Sequence, residues 1–173
     1  MVKANSSKTR FTAGGAIGWV GGWVLSQYAG PSLWVPGGVM GVLLIVFAKT
    51  RFKPAQFAGA IAIMAGHLAW FLIAAVALGI WSVVIFDVLV LAGGLCWLWT
   101  KPSLVAALTV AAYELFSLVS NGLALQAAPL GSPEHKALTV HCLFRVLALG
   151  LLVVGYRRLR QPEPASSSAV DSA

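Results

Sequence analysis

Between residues 11 and 156 the chain is a succession of apolar runs, each near the length of a bilayer crossing and joined by links of a few polar residues. A hydrocarbon core about 30 Å thick takes about 20 apolar residues in a helix. Inside it the backbone must satisfy its own hydrogen bonds, which leaves closed barrels and helices as solutions. The runs here are continuously apolar rather than alternating, so they predict helices. Six stand out: 11–28, 34–48, 57–78, 80–99, 104–125 and 137–156. The links carry the residues that break helices: Gly30-Pro31, Pro54, Gly79, Pro102, and Pro129 with Gly131 and Pro133. The expected fold is therefore all-α, a polytopic membrane bundle of six transmembrane helices. A short N-terminal segment (1–10) and a polar, disordered tail (157–173) flank the six-helix domain (11–156).

Composition agrees. Of 173 residues, 59% are hydrophobic and 10% charged, against about 25% charged in a typical soluble domain. The formal net charge of +7 does not mark a nucleic-acid binder, because the basic residues lie in short clusters between spans. Lys3, Lys8 and Arg10 precede the first span, and Lys49, Arg51 and Lys53 follow the second. Lys101 follows the fourth, and Arg157, Arg158 and Arg160 follow the sixth. With six spans all of these fall on one side, and only Lys136 falls on the other. The positive-inside rule then places both termini in the cytoplasm, and the membrane is expected to be the inner membrane of a prokaryotic cell. Five spans would put the Arg157–Arg160 cluster outside. Residues 11–28 lack a clear small-residue cleavage site and a second span follows directly, so they are expected to be a retained helix rather than a signal peptide.

The first two spans carry small residues every fourth position: Gly14, Gly18 and Gly22, then Gly37 and Gly41. Such rows let helix backbones approach closely. They serve either packing within the bundle or an interface with a second copy or a partner membrane subunit.

Ionisable residues inside membrane helices are costly, and they mark ion or proton pathways and buried pairs. Five occur here: His67 on the third span, Asp87 on the fourth, Glu114 on the fifth, and His141 with Arg145 on the sixth. At about 1.5 Å per residue, His67 and Glu114 lie about 15 Å from the basic face. Asp87 lies about 10 Å, Arg145 about 12 Å and His141 about 6 Å from the opposite face. Four of the five thus share a midplane layer, with His141 above it. Glu114, Ser117 and Asn121 form a polar stripe on the fifth helix, flanked by Tyr113 and Ser120. His141 and Arg145 form a second stripe, four residues apart. Antiparallel packing would set Glu114 beside Arg145 and Asn121 beside His141. One arginine cannot neutralise both Asp87 and Glu114. The remaining charge must be met by a proton, a cation or water.

His67, Asp87, Glu114, Asn121, His141 and Arg145 are accordingly the candidate site for binding or translocating a small solute, an ion or a proton. The competing class is a non-catalytic membrane subunit or assembly factor in which the charges hold helices together. A membrane-embedded redox or lipid-modifying enzyme is a third. Enzymatic chemistry is the less favoured class: there is no G-x-S-x-G elbow, no Walker-type glycine loop and no H-E-x-x-H or C-x-x-C motif. No cofactor or metal is expected. The counted depths of His67 and His141 differ by about 9 Å, which sets them apart as haem ligands.

The charge pattern carries its own test. A reporter that is active only in the cytoplasm, fused after Ala173, should be active, and the same reporter fused within residues 126–136 should be inactive.

Overall fold

The computed structural model describes residues 34–51, 54 and 56–160, with four isolated positions (16, 20, 23 and 24) before them. The expected first span, and Gly14, Gly18 and Gly22 with it, lie outside the described residues, as does the tail after residue 160. Five helices are described: α1 (Trp34–Lys49), α2 (Ala58–Leu78), α3 (Trp81–Thr100), α4 (Leu104–Ala127) and α5 (Pro133–Leu159). The last four are long and apolar enough to cross a membrane, and they mark a membrane protein.

The helix ends follow from local chemistry. Gly79 takes the left-handed conformation (φ 66°) that closes α2, which a side chain would resist. Gly79 and Ile80 alone separate α2 from α3. Pro102 ends the next run, and the Ser103 hydroxyl accepts from the Ala106 amide to start α4. Gly131 (φ 79°) turns the chain before Ser132, whose hydroxyl caps α5 through the His135 amide.

The sixth run is where the expected bounds change most. α5 begins at Pro133 rather than 137 and ends at Leu159 rather than 156. Pro133 occupies the first turn, where its missing N–H costs nothing. Glu134 sits at the positive end of the helix dipole, and Arg157 and Arg158 sit at the negative end. A hydropathy reading stops at the first polar residue, whereas capping carries the helix past it.

α2, α3, α4 and α5 close a ring in chain order, because α5 also packs back on α2, and α1 lies against the outside of α2. Neighbours run antiparallel, so Lys49, Lys101, Arg157 and Arg158 gather at one end, and Glu134 and Lys136 at the other. At the basic end Phe47 meets Trp99 edge-on, ring centroids 5.5 Å apart. Gly155 faces the Phe57 ring so closely that a Cβ would lie 2.4 Å from it. Gly37 and Gly41 are buried, and the α1–α2 contact is set by Gly66, where a Cβ would lie 2.5 Å from the Pro36 carbonyl oxygen.

Burial is inverted relative to a water-soluble fold. Val76 and Val83 are more than 70% exposed and Phe116 is 68% exposed, while Arg145 and Glu114 are sealed inside at 1% and 0%. A surface of this kind is stable against hydrocarbon and a liability in water.

Replacing Gly66 by Ala should push α1 from α2 and cost about 1–3 kcal/mol, seen as a lower Tm in detergent. Gly93→Ala, where a Cβ meets nothing within 4 Å, should not.

Candidate functional site

The ring of helices encloses a charged cluster and, beside it, a histidine pair. Arg145 is the centre of the first. Its Nη1 donates to Glu114 Oε2 at 3.0 Å, and its Nη2 lies 3.6 Å from Asp87 Oδ1. The guanidinium carbon stands 5.3 Å from the centroid of the Tyr113 ring, within cation–π range. The Tyr113 hydroxyl donates to the same Asp87 oxygen. One side chain of α5 is thereby tied to α3 and to two residues of α4.

The two acids are not equivalent. Glu114 is fully enclosed, whereas the Asp87 side chain keeps 29% of its surface open, so Asp87 is where the cluster reaches the outside of the ring. Among the described residues, two atoms of the buried pair have no partner: Glu114 Oε1 and Arg145 Nε. Buried polar atoms without partners are uncommon in folded proteins. With both carboxyls ionised, the formal charge of Asp87, Glu114 and Arg145 together is one negative. A proton on Glu114 would remove it, and an O–H at Oε1 would then find no acceptor among the described residues.

The histidines are brought into direct contact. His67 Nε2 and His141 Nδ1 are 2.7 Å apart, so one ring donates and the other accepts. This corrects the expectation that they sit about 9 Å apart in depth. Counting residues gives Cα heights for upright helices. It also starts from 137, whereas α5 begins at Pro133, which sets His141 about 6 Å deeper, and it ignores the reach of two imidazoles toward each other. The rings are packed in aromatic side chains. His67 stacks on Phe71 and Phe144, with centroids 4.7 and 5.5 Å away. His141 stacks on Trp70 and Phe71 at 4.5 and 5.0 Å.

Asn121 is the candidate that the structure leaves out. It is half-buried, and no hydrogen bond joins it to His141, whose ring turns toward α2 instead. The antiparallel register correctly sets Glu114 against Arg145, but in that register Asn121, seven residues on from Glu114, stands opposite Leu138, seven before Arg145, and not opposite His141. Tyr113 is the residue that the sequence reading undervalued. It neighbours Glu114, yet its hydroxyl is what shares Asp87 with Arg145. Trp70, Phe71 and Phe144 were legible as the positions three and four residues from the histidines on the same helix faces.

Among the described residues no three His, Cys, Asp or Glu side chains converge to hold a metal ion. The histidine nitrogens are hydrogen-bonded to each other. Two imidazoles on one tetrahedral ion at about 2.0–2.1 Å each would hold their nitrogens about 3.3 Å apart, farther than the 2.7 Å here. No family model, curated protein or solved structure matches the chain.

Removing Arg145 alone strands two acids in an apolar setting. Arg145→Leu should cost about 3–5 kcal/mol, read as a large fall in Tm in detergent. Leu at positions 87, 114 and 145 together should recover most of that loss, because no charge is then left unpaired.

Proposed function

We propose that this chain is a multi-pass inner-membrane protein of six spans, with both termini in the cytoplasm, that moves a small ion or solute in a proton-linked manner. In this reading the Asp87–Arg145–Glu114 cluster is the protonatable element. The observation that carries it is the imbalance of two carboxyls against one guanidinium, with Glu114 Oε1 and Arg145 Nε unpartnered inside the ring. A cluster built only to join helices would gain by matching its charges and filling its hydrogen bonds. Asp87, half-open at the side of the ring, is the entry and exit for the proton. Glu114 is the enclosed carboxyl that holds it. Arg145 holds the two carboxyls at one point, 3.6 Å from Asp87 and 3.0 Å from Glu114, and Tyr113 orients Asp87 through its hydroxyl. The His67–His141 pair, one turn along α5 from Arg145, shares the proton of one ring between its facing nitrogens. A chain of this size would work as an oligomer or with a partner subunit.

A second reading draws on the completeness with which Arg145 is buried while joining three helices. It makes the protein a non-catalytic membrane subunit with the cluster as a fastening.

One experiment separates them. Full-length protein in proteoliposomes, with a pH dye inside and a potassium diffusion potential across the membrane, should show proton flux, and infrared difference spectra across pH should show the C=O stretch of a protonated carboxyl. Glu114→Gln should abolish both while the protein stays folded. If Glu114→Gln and Asp87→Asn lower only the Tm and leave spectra and flux unchanged, the cluster is a fastening and the transport reading fails.

A further inference from the structure

Away from the charged cluster, the basic end of the bundle holds an open apolar groove of about 470 Å³ between the start of α4 and the end of α5. Leu104 and Leu108 form one wall, Val153 and Tyr156 the other, and Gly150 leaves the floor open. From Leu104 to Ala111, and from Leu149 to Tyr156, its length is about 10 Å. That lies within the roughly 15 Å of a single leaflet's hydrocarbon.

What distinguishes this groove from the rest of the apolar surface is its rim. Lys101 lies three residues before Leu104, and Arg157 directly follows Tyr156; both are exposed. The Arg160 guanidinium lies 4.8 Å over the ring of Tyr156, which itself lines the groove. The first turn of α4 carries no acidic residue, so the positive end of its dipole adds to the same field. Among the described residues, Asp87 and Glu114 lie within the ring and Glu134 is at the opposite end, so no acidic side chain offsets this charge.

We propose that this groove is a binding site for an anionic phospholipid, with one acyl chain laid between α4 and α5 and the phosphate held at the rim by Lys101, Arg157 and Arg160. An acyl chain suits walls that are apolar but for the Tyr156 hydroxyl at the rim. A phosphate suits arginine, whose planar donors engage its oxygens in pairs. The charge pattern selects an anionic lipid over a zwitterionic one, whose own ammonium would meet three cations. The site is separate from the midplane cluster and does not depend on its role.

The test uses full-length protein in detergent micelles, titrated with phosphatidylglycerol or phosphatidylcholine, with bound lipid counted by native mass spectrometry. The wild type should hold phosphatidylglycerol about tenfold more tightly than phosphatidylcholine, given three cations at the rim. Gly150→Phe fills the groove, and its Cβ meets nothing within 4 Å, so the backbone is not disturbed. It should lose phosphatidylglycerol binding with helicity and Tm retained. Lys101→Gln with Arg157→Gln and Arg160→Gln, all at exposed positions, should keep lipid binding but lose the preference. Equal binding of the two lipids by the wild type overturns the proposal. So does unchanged phosphatidylglycerol binding in Gly150→Phe, or a wild-type dimer that Gly150→Phe dissolves, which would make a second copy the occupant.

Discussion

The buried guanidinium of Arg145 is the interaction on which the bundle depends. Leu, Val and Ala side chains give a membrane helix no preferred rotation, because lipid is as apolar as a neighbouring helix. A charge in hydrocarbon does give one. It is costly to leave alone, by about 2.5–3.5 kcal/mol on insertion scales, and it can be satisfied only where partners converge. Asp87 on α3 and Glu114 on α4 are those partners. Together they set the rotation of three helices about one point.

The same helix carries both polar assemblies. His141 and Arg145 are one turn apart on α5, the first facing α2 and the second facing α3 and α4. α5 is thus the element through which the histidine pair and the charged cluster are held at a constant spacing. Small residues complete the arrangement elsewhere. Gly66 lets Pro36 approach, and Gly155 seats Phe57, so that α1 and α5 can both lie close on α2. Close backbone approach takes the place that hydrophobic burial holds in a soluble core.

Much of this was legible beforehand. The four long helices follow from run length, the α2–α3 and α3–α4 breaks from Gly79 and Pro102, and the pairing of Glu114 with Arg145 from depth alone. Three features were not. The contact between His67 and His141 depends on where α5 begins and on side-chain rotation, neither of which the apolar run contains. The exclusion of Asn121 depends on which way α5 turns its imidazole. The part played by Tyr113 depends on Asp87 lying within reach of a hydroxyl carried by the next helix, 26 residues away in sequence.

By itself, the sequence determined that this is a membrane chain with charges inside its spans, and at what depth along each span they lie. These follow from one-dimensional quantities, namely run length and the position of each polar residue within its run. Only the tertiary structure decided which polar groups meet, which atoms stay unpartnered, and that an apolar groove opens beside a basic rim at the end of α4 and α5. Those depend on the rotation, tilt and spacing of helices packed together, and a period along one helix holds no information about its neighbour.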